Sequence, residues 1–419
     1  MDPALILVIS IAAFSGCFLG LLTGLIPGIH VNTLATILLT AFPLISSSLS
    51  GLVPEEDVAI CVCSLIMSAS VVHSFIDFIP SVFLGAPEDA HAVSILPGHR
   101  LLLDGRGMDA VRSAAIGSLI GCSAAILMAI PLQMMLSGGM EEQLDRITKG
   151  VLIVISTILI LNERPFPGIA YGAMAFILSG ALGYCVMELP IPCSGLLGEG
   201  TLLMPMLTGL FGLPTLMSSG GSGKIPAQKD PVPDPVGFIP GLKGVLMGTV
   251  AGWFPGITST VGATVSSVVM PDRSPERFIS TVASIGTVTT VLSLVTLSIS
   301  GGGRSGTVIV IGDILGDSVS GVASENFLML LISAAIASMV GYWLTIVSGK
   351  AATGFISGID QNRMNKAVIA FLIIIVLLTT GPWGIVILIA SVITGFVPLA
   401  FGLGRTVLCG CLILPVLLF

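Results

Sequence analysis

The chain has 419 residues, of which 54% are hydrophobic and only 9% charged, with a mean hydropathy of +1.06. That leaves too little polar surface to cover a soluble globule of this size. The formal charge of -7 comes from few ionisable groups, with no basic stripe or stacking aromatic platform, so nucleic-acid binding is excluded. What remains is an all-α integral membrane protein whose main partner is the lipid bilayer.

Met1-Asp2-Pro3 lacks the positive region of a secretory signal, and the long apolar run behind it reads as a first membrane segment. Segments of spanning or re-entrant length fall near 4–26, 28–50, 58–82, 109–136, 148–162, 167–188 and 200–216. A second series falls near 241–255, 257–270, 278–300, 325–348, 366–380, 383–402 and 406–419, with 303–322 left as an extra apolar, Gly-rich piece. About 10 to 14 membrane segments are expected.

The two series share a pattern. Gly16-x3-Gly20-x3-Gly24-x2-Pro27-Gly28-Ile29 returns 228 positions later as Gly244-x3-Gly248-x3-Gly252-x2-Pro255-Gly256-Ile257, and Pro43 and Pro271 keep the offset. Duplication with a Gly/Pro-interrupted apolar segment at matching places points to a secondary transporter and to its binding site. Seven elements per half is an odd number, so the second copy enters the membrane from the opposite side. The expected organisation is an inverted repeat over 1–217, a cytoplasmic Gly/Pro-rich linker over 218–240, and its mate over 241–419.

Charge tests the orientation. With both termini outside, thirteen of the sixteen basic residues face the cytoplasm, and only Arg146, Lys149 and Arg304 do not. Gly220-Gly221-Ser222-Gly223 followed by prolines 226, 231, 233, 235 and 240 suits a flexible, then extended, tether. The eight cysteines lie mostly in apolar stretches without zinc-site spacing and read as small core residues, so no cofactor is expected.

The chemistry should sit at the breaks. Small residues four apart make a helix-packing face, but proline cannot continue the helix behind it and fits the first turn of a new one. Exposed amides at such a restart bind anions. Candidate substrate contacts are therefore Gly28, His30, Asn32 and Thr33 at the first break, with Gly256, Thr258, Ser259 and Thr260 at the second. A proline kink with polar caps and no ligand is the plainer reading of the same residues. His73 and Asp77 stand at i and i+4 inside an apolar span, so they are candidates for cation coupling, by a carried proton or by Na+; a buried pair that only stabilises the bundle is the alternative. Arg304, beside a Gly-rich turn, suits bidentate carboxylate recognition, as it also suits an ordinary external loop.

Gly24-Leu25-Ile26-Pro27-Gly28, the run Phe78-Ile79-Pro80-Ser81-Val82-Phe83-Leu84-Gly85-Ala86-Pro87 with its continuation to Leu96-Pro97-Gly98, and the second Gly-x2-Pro-Gly together resemble the TctA family, the large membrane subunit of tripartite tricarboxylate transporters. The likeness covers most of the chain and is clearest over 16–121 and 241–271. It implies uptake of a small carboxylate such as citrate, driven by a Na+ or H+ gradient across the plasma membrane, with a small membrane subunit and an extracellular solute-binding protein as partners; a homodimer is a further expectation. Ile29-His30-Val31-Asn32 and Glu88-Asp89 depart from the family's usual residues, in the manner of a divergent, archaeal branch. Two rival readings stand beside this one: an intramembrane enzyme using His73, Asp77, Glu88 and His91, which has no recognisable catalytic motif, and a passive anion channel.

Overall fold

A computed structural model describes residues 3–27, 30–49, 54–86, 92–137, 141–163, 165–196, 198–199, 201–218, 224–253, 258–302 and 305–418. The protein is all-α apart from one two-residue hairpin, β1 (Ser194–Gly195) with β2 (Gly198–Glu199), among the described residues. Eight helices are long and apolar enough to cross a membrane, among the described residues. It is a multi-pass membrane protein.

The first half runs α1 (Pro3–Leu25), α2 (Val31–Leu49), α3 (Glu55–Ile76), α4 (Phe78–Leu84), α5 (Ile95–Leu103), α6 (Gly107–Leu136), α7 (Glu141–Leu161), α8 (Gly168–Glu188), α9 (Leu203–Leu207) and α10 (Leu213–Ser218). A π-helical turn, Thr208–Gly212, joins the last two. The second half follows the same order: α11 (Phe238–Trp253), α12 (Ser259–Val269), α13 (Pro275–Ser300), α14 (Gly306–Leu315), α15 (Glu325–Ile356), α16 (Gln361–Phe401) and α17 (Gly410–Leu418), the last preceded by a 3-10 turn, Arg405–Cys409. Gly381 (φ 68°), followed by Pro382, bends α16 into two helices that match α7 and α8. Within the extra apolar piece, α14 is followed directly by a 3-10 turn, Gly316–Val319.

The glycine stripes explain why each break is where it is. A Cβ on Gly20 would lie 2.9 Å from Val72 Cβ, and one on Gly24 would lie 2.8 Å from Ile76 Cβ. In the second half, Gly248 meets Val288 Cβ at 2.7 Å and Gly252 meets Leu292 Cβ at 3.1 Å by the same measure. Val72 and Ile76 thus match Val288 and Leu292, both 216 positions apart, so α1 packs on α3 in the register in which α11 packs on α13. Close backbone approach replaces the hydrophobic drive that water would otherwise supply.

Helix directions show the inversion. Arg106 meets Glu276 and Gln133 meets Ser298, so α6 and α13 run parallel. Ser68 meets the Ser333 carbonyl and Phe75 packs at Gly341, so α3 and α15 also run parallel. Between these pairs α6 and α15 are antiparallel, because Gly349 packs on Val111 whereas Ala323 N bonds Gln133. It follows that α3 and α13, which occupy equivalent places, point in opposite directions.

Buried hydroxyls are largely turned onto their own helices. Thr345, Ser391 and Thr380 each donate to the carbonyl four residues back at 2.7 Å, which spares a polar group in a medium without water. Between α10 and α11 the described stretch of residues 224–237 forms no helix and is pinned. Ile225 exchanges bonds with Ile359 and Gly358, Gln228 accepts from Gly107 N at 2.8 Å, and Asp109 accepts from Val232 N at 3.0 Å. It seals the α5–α6 corner to the α15–α16 corner.

Candidate functional site

Thr23, in the last turn of α1, donates to the Gly20 carbonyl at 3.2 Å, and its oxygen lies 3.1 Å from His73 Nδ1 on α3. After the break, His30 Nδ1 accepts from Asn32 N at 3.1 Å, which leaves the proton of a neutral His30 on Nε2. The two imidazoles lie side by side, centroids 5.1 Å apart and tilted by 55°. His73 and Asp77 are each 3% exposed, one helical turn apart at the end of α3.

The same place is reached from the other half. Asn32 Oδ1 accepts from Thr307 N at 3.1 Å, in the first turn of α14. Gly306 is required there, because a Cβ would stand 2.7 Å from Asn32 Cγ. Ser305 caps α14 by accepting from Val308 N at 3.4 Å. Thr307 Oγ1 is 3.3 Å from Ser70 Oγ on α3, and Ser74 Oγ is 3.5 Å from Thr290 Oγ1 on α13. A chain of hydroxyls, one carboxamide, two imidazoles and one carboxylate therefore lies where α1, α2 and α3 of one half meet α13 and α14 of the other. An apolar cleft of about 240 Å³ opens beside it, lined by residues such as Leu25, Ile79, Phe83 and Phe355. It offers nothing polar to an anion, so the candidate site is the hydroxyl-imidazole cluster.

A family model described as the tripartite tricarboxylate transporter TctA family matches residues 11–410, both halves together. The chain belongs to the TctA family. This TctA-family chain is also similar to an uncharacterized protein of Methanocaldococcus jannaschii, 30% identical over 296 residues, which are 70% of this chain and 69% of that one. No solved structure matches it. The resemblance carried by Gly24 to Gly28 and by Phe78 to Pro87 thus holds over nearly the whole length.

The structure brings His30, Asn32 and His73 together, with Asp77 one turn beyond His73 at the end of α3. It places Thr33 on the exposed side of α2, away from them. Thr258, Ser259 and Thr260 form a separate group at the second break: Thr258 is an exposed N-cap accepting from Val261 N at 3.3 Å, Ser259 is half-buried and Thr260 is fully buried. Gly28, Gly256 and Arg304, like Glu88 and His91, lie outside the described residues.

Thr23, Ser70, Ser74, Thr290, Ser305 and Thr307 went unselected in the sequence reading. A signal existed for two of them, because Ser70, His73, Ser74 and Asp77 fall at helical spacing on one face of α3. The repeat also reveals an asymmetry. At the offset of 216, His73 corresponds to Thr289 and Asp77 to Ser293, and at 228 His30 corresponds to Thr258. At these matched positions, among the described residues, the titratable side chains lie at the first break and hydroxyls stand at the second.

Proposed function

We propose that this TctA-family chain is a secondary active transporter that moves a small carboxylate, such as a tricarboxylate, across the plasma membrane at the expense of a Na+ or H+ gradient. It does no covalent chemistry. The observation that supports this best is the bond from the Thr307 amide to Asn32, which ties the restart of a broken helix in one half to a helix start in the other, with Thr307 also beside Ser70, on the α3 face that carries His73 and Asp77. Sites at the interface of inverted halves, walled by helix ends and small hydroxyls, are how secondary transporters hold anions at membrane depth.

In this reading the substrate's carboxylates meet the polar cluster around His30 and Asn32, and the driving cation acts through His73 and Asp77. The halves, 1–217 and 241–419, are joined on the cytoplasmic side by 218–240, with both termini outside. A small membrane subunit and an extracellular solute-binding protein would complete the assembly, as the family's description suggests. Purified protein in liposomes with labelled citrate tests the reading. Accumulation under an imposed Na+ or pH gradient is expected; folded protein that accumulates no carboxylate under either gradient overturns it.

A further inference from the structure

The two halves are alike in sequence but not in what covers them. On α12, Val261, Thr264, Val265 and Val268 turn toward a second hydrophobic cluster that includes Leu152 and Leu159 of α7 and Leu408 and Cys409 of the 3-10 turn. Val261 and Thr264 are fully buried, and Thr264 Oγ1 lies 3.0 Å from Cys409 Sγ. Their partners 228 positions earlier are Thr33, Thr36, Ile37 and Thr40 on α2. All four are exposed, Ile37 by 59%. The packing partners of α2 are α1, α3 and α14.

The residue that would take the part of Cys409 can be found from the packing of α8 and α16. Gly410 sits against Phe176 and Ser179; Gly209 sits against Leu388 and Ser391. Gly183 meets Cys411, and Gly395 meets Leu210. The pairs 176/388, 179/391 and 183/395 share one offset, and 410/209 and 411/210 share another, so Cys409 corresponds to Thr208. Thr208 is fully buried in the π-helical turn, and its hydroxyl has no hydrogen-bond partner. Leaving a buried hydroxyl unsatisfied is unfavourable, and such turns concentrate at functional places.

We propose that the chain visits a second arrangement in which the exposed face of α2 docks on the stretch ending at Thr208, residues 204–208, as α12 now docks on the Arg405–Cys409 turn. Thr36 then meets Thr208, and the contact between Thr264 and Cys409 opens. The moving body is the cluster of α7 to α10, α16 and α17, drawn from both halves. The body it moves against is built on α3, α6, α13 and α15. This rests on the transport reading above and gives that reading its two end states: the structure shows the face of α12 covered and the matching face of α2 exposed.

Disulfide trapping in membranes tests it, with copper phenanthroline as oxidant and the remaining cysteines replaced by Ala. Thr264→Cys beside the native Cys409 is expected to cross-link, reporting the arrangement seen here. Thr36→Cys with Thr208→Cys, in a Cys409→Ala background, is expected to cross-link as well. With all four thiols in one chain, each molecule should hold one bridge and not both. If the first pair closes and the second never does, the proposal is overturned. It is equally overturned if Thr36→Cys alone gives a product of twice the mass, which would assign that face to a second copy. Spin labels at Ile37 and Met217, with Thr208 left intact, give an independent reading: two distance populations are expected, and a single one that neither citrate, Na+ nor pH alters overturns the idea. Citrate counterflow in the same vesicles separates the failures, because cross-links in protein that moves no citrate sink the carboxylate reading, whereas a missing second cross-link in protein that moves it sinks this one.

Discussion

The Asn32 side-chain oxygen accepts the backbone amide of Thr307 at 3.1 Å, across 275 residues of sequence and from one half of the molecule to the other. It holds the first turn of α2 against the first turn of α14. It also fixes the backbone whose amide bonds His30.

Removing that acceptor should loosen both helix starts. Asn32→Ala is expected to lose the equivalent of a helix cap, ~1 kcal/mol, and to lower citrate transport at least ~10-fold. Asn32→Asp keeps the acceptor and adds a charge that a helix N-terminus favours, so it should retain most of the stability. Thermal unfolding in detergent and counterflow in liposomes check the pair. Equal behaviour of the two variants would refute the capping role.

The transport reading proposed above gives His73 and Asp77 to coupling rather than to substrate contact. His73→Gln and Asp77→Asn should therefore spare gradient-independent counterflow of citrate while abolishing accumulation against a gradient. Loss of both activities in equal measure would place these side chains in the substrate site instead.

The glycine stripes make a symmetrical prediction. Gly20→Leu and Gly248→Leu each push a helix off its partner by overpacking, at a cost of ~3 kcal/mol, and each should lower the unfolding temperature. Gly354, with open space where its Cβ would be, is the control: Gly354→Ala should be neutral or slightly stabilising. A tolerant Gly248→Leu would contradict the equivalence of α1 with α11.

Arg106 joins Asp109 (2.9 Å) and Glu276 (2.7 Å), one carboxylate from each half, at the N-termini of the parallel helices α6 and α13. Both carboxylates are nearly buried, whereas the guanidinium is 37% exposed, so solvent screens part of the interaction. Arg106→Ala should cost ~2 kcal/mol, less than breaking a fully buried pair. Adding Glu276→Gln to it should recover part of the loss by removing one uncompensated charge. No recovery would show that the pair is screened away.

The sequence by itself determined the membrane class, the segment positions, the duplication and the family resemblance, because these follow from composition and from glycines and prolines that local backbone geometry demands. It also placed the bend near Gly381, where a left-handed residue precedes proline. It marked His30, Asn32, His73 and Asp77 as polar groups in apolar surroundings. Only the tertiary structure decided that Asn32 faces Thr307 and that Thr33 points outward. Those facts depend on which helices are neighbours across long stretches of sequence, and hydropathy does not record that. Nor could sequence separate α2 from α12. The residues after the two breaks already differ in sequence, His30-Val31-Asn32 against Thr258-Ser259-Thr260, but what packs over each helix does not show there.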